Sequence, residues 1–251
     1  NVSTSSAFAA AAAGAKVAKH GNRGATSKSG SADVLEAAGI NLALSAEQIA
    51  TTIEQVGVGF MFAPAHHSAM KHVIAARKEI GVRTVFNILG PLTNPASAPN
   101  QIIGVFDPQW IPLLLEVLRD LGSDHVLIVA AEDGLDEISI AAATAVGELR
   151  GGEIYSYTVS PADFGIKQYA NYDELKIDSA EASLTLMRQA LTYENKAAGD
   201  IVALNAGAAI FAANLEDSLL NGVKRAQEVL ISGAALAKLD ELVRCSNSMS
   251  E

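Results

Sequence analysis

Residues 101–130 read QIIGVFDPQWIPLLLEVLRDLGSDHVLIVA. Ile102 to Phe106 is a short apolar run of strand length, broken by Asp107-Pro108. Ile111 to Leu121 carries apolar side chains at helical spacing and stops at Gly122, and His125 to Ala130 is a second strand. A strand, a helix and a strand within thirty residues describe a crossover between parallel strands, so the sequence predicts an α/β chain.

Towards the C-terminus, the segment AEDGL leads from the second strand to Asp136-Glu137. Residues 138–160 hold two short β-rich runs broken by Gly151-Gly152, the pattern of a hairpin. Beyond Pro161 the chain turns helical, with helices expected over 179–192, 198–213 and 222–243. Towards the N-terminus, Leu89 to Asn94 (LGPLTN) reads as a turn-rich loop, and 67–80 as a helix stopped at Gly81. Val56 to Phe62 is an apolar run ending at Ala63-Pro64, which fits a buried strand. Ser45 with Gln48 forms a capping box ahead of Ile49 and Ile53, and Val34 to Gly39 is helical. The fifteen residues KHGNRGATSKSGSAD (19–33) are nearly devoid of apolar side chains and read as a long loop. SSAFAAAAAGAKVA (5–18) is an alanine-rich helix, with Ser3 or Thr4 as its cap. No internal repeat is present.

Composition narrows the function. The chain has 251 residues, 49% of them hydrophobic, enough for one large domain or two small ones without staples. Its one cysteine, Cys245, cannot close an intramolecular disulfide, so a secreted disulfide scaffold is excluded. No apolar run approaches the roughly 20 residues of a membrane span. A formal net charge of −10 opposes general nucleic-acid binding. The charge is uneven: residues 1–100 hold 8 Lys/Arg against 5 Asp/Glu, and 101–251 hold 10 against 23. A basic N-terminal third in an acidic protein suits a small anion, although chance clustering produces the same asymmetry. The chain starts at Asn1 with no signal-like segment. These features predict a soluble protein of the cytoplasm whose true start lies upstream.

Five places have the residue types for chemistry. Asn1-Val2-Ser3-Thr4 stands at a helix start, where free N–H groups and the dipole favour a phosphate, although these four residues alone read first as an ordinary N-cap. Lys19-His20-Gly21-Asn22-Arg23, running on through Gly24, Ala25, Thr26 and Ser27 to Ser31, offers cations, hydroxyls and glycines that admit a phosphate or pyrophosphate. It is not a Walker A loop, because GxxxxGK[ST] is absent. Arg77 falls on the apolar stripe of Met70, Val73 and Ile74, so it snorkels, pairs with an acid or faces a carboxylate ligand. His66 and His67 lack the Cys or third His of a zinc set. Asp136-Glu137, just past a strand end, are solvated loop acids or hard oxygen ligands for Mg²⁺.

Together these segments resemble anthranilate phosphoribosyltransferase. Asn1 to Thr4, Lys19 to Arg23 and Ser29-Gly30-Ser31-Ala32-Asp33 occur in that family's order and spacing. So do Phe62-Ala63-Pro64, Arg83-Thr84-Val85-Phe86-Asn87, Leu89-Gly90-Pro91-Leu92-Thr93-Asn94-Pro95, Asp136-Glu137 and Pro161-Ala162-Asp163-Phe164-Gly165. The resemblance spans the whole chain. It implies a mixed central sheet flanked by helices, of the nucleoside phosphorylase/phosphoribosyltransferase kind, with residues 1–251 as the α/β catalytic domain. It also implies transfer of phosphoribose from phosphoribosyl pyrophosphate to anthranilate in tryptophan biosynthesis, with Mg²⁺ as cofactor.

Residue by residue, the resemblance assigns the donor to Asn1, Val2, Ser3, Thr4, Lys19, His20, Gly21, Asn22, Arg23, Gly24, Ala25, Thr26, Ser27 and Ser31. It assigns anthranilate to Asn22, Arg77 and Pro91, and magnesium to Ser3, Asp136 and Glu137. No catalytic base is expected, since the amine of anthranilate is already a nucleophile; positioning and electrostatics carry the rate. The family has a glycine-rich loop and most of a small helical domain ahead of the position matching Asn1. The expectation is therefore a fragment, weak or inactive alone, from a protein that forms homodimers and associates or fuses with a glutaminase subunit. Gly24-Ala25-Thr26 and Asn205-Ala206-Gly207 depart from the family's usual run. A pyrimidine-nucleoside phosphorylase-like enzyme and an inactive paralogue kept as a binding protein are the competing readings.

Overall fold

The computed structural model describes residues 1–24, 28–66, 90, 92 and 94–249. Helix α1 (Val2–Ala12) leads into strand β1 (Val17–Gly21), α2 (Ser31–Ala37), α3 (Ala46–Val56), β2 (Val58–Phe62) and the single turn α4 (Ala63–His66). Then come β3 (Asn100–Gly104), α5 (Trp110–Asp120), β4 (His125–Ala131), β5 (Thr144–Arg150) and β6 (Glu153–Val159). The chain closes with α6 (Ala180–Leu191), α7 (Lys196–Ala212), α8 (Leu219–Ile231) and α9 (Ala234–Ser248).

The crossover read from 101–130 is present: β3 and β4 pair in parallel with Ile102 opposite Leu127. β4 pairs antiparallel with β5, and β5 with β6, so the four-stranded sheet is mixed, as expected. A second, two-stranded sheet joins β1 and β2 in parallel.

β4 is buried along its whole length. Its alternation divides the core: Val126, Ile128 and Ala130 face Leu114, Leu115 and Leu118 of α5, while Leu127 and Val129 face the main core with α1 and α7. Helices on both faces of a sheet explain why this strand is continuously apolar. α5 sits close because β5 has Gly147 beneath it; a Cβ there would lie 2.2 Å from Ile111 Cγ2. α1 and α7 form the centre of the molecule. Both are alanine-rich and buried nearly all round, and their small side chains let the two helices pack directly on each other.

Four sequence expectations are corrected. Lys19, His20 and Gly21 belong to strand β1 rather than to a loop; the strand forms through its ladder with β2, which hydrophobic patterning does not reveal. The first helix ends at Ala12, because Gly14 takes a left-handed φ of 106°. Its N-cap is Asn1, not Ser3 or Thr4, and Asn1 caps through its backbone oxygen, which accepts from Ser5 N at 3.1 Å. The helix expected over 222–243 is two helices, broken where Gly233 adopts φ 76°. The capping box holds, with Ser45 Oγ accepting from Gln48 N and Gln48 Oε1 from Ser45 N. The helix expected over 67–80 lies outside the described residues.

Candidate active site

The ends of three elements converge at the start of α1. Ser3, in its first turn, donates its backbone N–H to Glu137 Oε1 at 3.2 Å. Lys19, from β1, donates through Nζ to Ser3 Oγ at 3.3 Å. Glu137 arrives on the loop after β4. Ser3, Lys19, His20, Asp136 and Glu137 line one cleft, together with Asn205 of α7. The helix start that suits an anion therefore already holds one, a carboxylate of the protein itself.

The electrostatics of this junction are unusual. Burial, reinforced by the neighbouring charge of Asp136, pushes the Glu137 carboxyl up to about 7, against the pull of the Ser3 N–H and Lys19. Burial also pushes the Lys19 ammonium down, opposed by Glu137. Two adjacent carboxylates with too little positive charge around them fit a hard divalent cation. Among the described residues no group of three or more His, Cys, Asp or Glu is gathered. A cation here would thus rely on Asp136, Glu137 and Ser3 with oxygens of its substrate, the usual habit of Mg²⁺.

The segment after β1 folds back on itself. Asp33, in the first turn of α2, accepts from Gly24 N and Gly30 N, each at 2.8 Å. Asn22 O accepts from Ser31 Oγ at 3.3 Å and Ala32 N at 3.2 Å. Glycine is required at Gly30, where a Cβ would lie 2.3 Å from Gly24 N. Asn1 ties this segment to the helix start, its Nδ2 donating to Ser29 Oγ at 3.3 Å and to Ser183 Oγ of α6 at 2.7 Å.

Arg23 is occupied within the loop. Its guanidinium contacts Asp33 Oδ1 at 3.1 Å and both oxygens of Glu36 at 2.6 and 3.0 Å, and lies 5.7 Å above the Phe62 ring. The hydrogen bonds it donates to Glu36 and Asp33 raise its pKa further.

Of the residues singled out in sequence, the structure brings Asn1, Ser3, Lys19, His20, Asp136 and Glu137 together. It places Asn22, Arg23 and Gly24 in the adjoining loop, between Gly21 at the end of β1 and Ser31 at the start of α2. Val2 is half-buried at the start of α1, and Thr4 is buried in that helix. Ala25, Thr26, Ser27, Arg77 and Pro91 lie outside the described residues. Sequence reasoning gave Asn205 and Gly104 no role in the site. The one signal for Asn205 was a carboxamide inside an alanine-rich helix.

Residues 1–236 match the family model described as "Glycosyl transferase family, a/b domain". The chain is 58% identical, over a 255-residue alignment, to the protein named anthranilate phosphoribosyltransferase from Hahella chejuensis, covering all of this chain and 73% of that one. The anthranilate phosphoribosyltransferase of Thermus thermophilus superposes with a TM-score of 0.92 at 44% identity, over 98% of this chain and 73% of that one. The Saccharomyces cerevisiae enzyme, solved in complex with PRPP and Mg, superposes with a TM-score of 0.88 at 27% identity, over 99% and 70%.

Proposed function

Because this chain belongs to the anthranilate phosphoribosyltransferase family, we propose that it transfers phosphoribose from phosphoribosyl pyrophosphate to the amine of anthranilate, releasing pyrophosphate, as a step of L-tryptophan synthesis. The observation that supports this most directly is the junction of Ser3, Lys19 and Glu137, which unites the early cation-and-hydroxyl segments with the acid pair in one cleft. The chain spans 73% of its Hahella relative, and residues 1–251 are read as the α/β catalytic domain.

In this reading Ser3, Asp136 and Glu137 hold Mg²⁺, which when bound supplies Lewis-acid stabilisation of the charge developing on pyrophosphate. Asn1, Val2, Ser3, Thr4, Lys19 to Ser27 and Ser31 bind the donor. Lys19 sits beside Ser3 as a cation for the phosphates, and the Asp33-braced loop holds Asn22 and Gly24 in fixed conformation. Asn22, Arg77 and Pro91 receive anthranilate, Arg77 matching its carboxylate. The amine attacks unaided, so orientation of the two substrates and a field favouring the leaving group carry the acceleration.

Among the described residues no helix is long and apolar enough to cross a membrane. A cytoplasmic location, a homodimer and association with a glutaminase subunit complete the proposal on the strength of the family resemblance. The test is the disappearance of anthranilate fluorescence with phosphoribosyl pyrophosphate over a range of Mg²⁺ concentrations. Asp136→Asn and Glu137→Gln are expected to shift the Mg²⁺ requirement upward and lower turnover. Wild-type rates in both variants at every Mg²⁺ concentration refute the site assignment.

A further inference from the structure

Asn205 stands on α7, 4% exposed, and its neighbours from Ile201 to Ile210 are all alanine, glycine or aliphatic. Its carboxamide spans a single residue of the acid-bearing loop: Oδ1 accepts from Ile138 N at 2.8 Å and Nδ2 donates to Ile138 O at 3.0 Å. Nδ2 also donates to Ile201 O within the helix at 2.9 Å. The N–H of Ile138 belongs to the peptide whose carbonyl is that of Glu137, so the bond to Oδ1 fixes the peptide plane leaving Glu137. One residue earlier, Gly104 of β3 closes on Asp136, a Cβ at Gly104 falling 1.6 Å from Asp136 O. The loop that carries the two acids is therefore held by the Asn205 side chain at Ile138 and by the bare backbone of Gly104 at Asp136. Glu137 then reaches Ser3 N with its remaining freedom.

We propose that Asn205 is a positioning residue for the acid pair, setting where Asp136 and Glu137 present their oxygens to a divalent cation. This rests on the reading of the site given above. A buried carboxamide with no such role would serve only to satisfy the loop's backbone, and its loss would lower stability without altering the cation site. Outer partners that orient metal ligands typically change affinity by about 10–100-fold when removed.

The experiment titrates Mn²⁺, by its paramagnetic resonance signal, into the 251-residue chain in the presence of phosphoribosyl pyrophosphate. Wild type is compared with Asn205→Ser, which removes all three bonds, and Asn205→Asp, which keeps an acceptor for Ile138 N–H. Leu204→Ala, a fully buried neighbour on the same helix, supplies a control with a comparable loss of melting temperature. Asn205→Ser is expected to weaken Mn²⁺ at least tenfold and Asn205→Asp by less, with Leu204→Ala within twofold of wild type. Wild-type affinity in Asn205→Ser, or an equal loss in Leu204→Ala, overturns the inference. Should Asn205→Ser not fold, Asn205→Asp is compared with Leu204→Ala on the same terms. A wild-type chain that takes up no Mn²⁺ with the donor removes the underlying site reading, and this inference with it.

Discussion

Gly104→Ala is the most discriminating small change this structure offers. Its added Cβ would fall 1.6 Å from the Asp136 carbonyl oxygen and 2.6 Å from the Asp136 carbonyl carbon. A carbon–oxygen contact relaxes near about 3.3 Å, so strand and loop must part by roughly 1.7 Å. The obstacle is backbone on both sides, and rotamer changes cannot absorb it. Overpacking of this kind costs about 1–3 kcal/mol. In a chain of this size that lowers the melting temperature by about 2–4 °C per kcal/mol. The larger effect falls on the acids that the loop carries, since a misplacement of about 1 Å is able to reduce turnover about 10²-fold. The paired measurement is thermal melting together with the Mg²⁺ dependence of turnover. Gly147→Ala is the control, because its Cβ meets Ile111 Cγ2 at 2.2 Å and Leu115 Cδ1 at 2.6 Å under α5. Both variants are expected to lose stability, and only Gly104→Ala to lose its Mg²⁺ response. A Gly104→Ala protein with wild-type Mg²⁺ dependence, or a Gly147→Ala protein equally impaired, refutes the claim that β3 sets the position of the acid pair.

Three further outcomes follow from other contacts. Burial and Asp136 raise Glu137 from 4.5 to about 7, so the folded chain keeps a proton that the unfolded chain releases, and stability falls as pH rises through that window. Glu137→Gln is expected to match wild type near pH 4.5 and exceed it at pH 8 by about 3 kcal/mol, at about 1.36 kcal/mol per pH unit; urea melts showing equal stability at both pH values contradict this. Glu148 is pushed up by burial but held below its ordinary value by His125, 3.4 Å away, by the hydrogen bond from Tyr157 and by Arg150. Its contribution is present above about 4.5 and lost as pH falls through the lower folded value, so Tyr157→Phe, deleting the 2.8 Å bond, is expected to lose about 1.5–3 kcal/mol at pH 7 and less in acid. Gly207→Ala would bring a Cβ within 2.5 Å of Val223 Cα and N, and denaturant unfolding is expected to show a loss of about 1–3 kcal/mol as α7 and α8 are forced apart.

The fold was legible wherever one side-chain pattern had only one physical solution. A strand buried on both faces, HVLIVA, cannot sit at a sheet edge, and with a helix between it and Ile102 to Phe106 only a crossover remains. Legibility failed where pairing rather than patterning decides. β1 is half-buried along its length and carries Lys19 and His20, so neither face advertises a core, and only its register with β2 makes it a strand. The stretch 222–243 kept one helical periodicity through a break that depends on a single left-handed glycine, Gly233.

The site was legible in its parts and not in its assembly. Residue types marked the cation-and-hydroxyl loop and the acid pair, but nothing local says that Glu137 meets the amide of Ser3 across 134 positions of sequence; the family resemblance grouped Ser3, Asp136 and Glu137 around magnesium without that bond. Asn205 shows why the remainder stayed hidden. Its function is to bond a backbone 67 residues away, and backbone groups leave no signature in composition or periodicity. The same logic explains the charge at the junction. A helix start, a lysine and a carboxylate balance one another locally, yet Asp136 adds a second negative charge that lifts its neighbour's pKa. Two carboxylates thus share the single ammonium of Lys19, while phosphoribosyl pyrophosphate is itself an anion that such carboxylates repel. A divalent cation resolves both conditions at once, which argues that in the proposed reaction donor and Mg²⁺ enter together rather than donor alone.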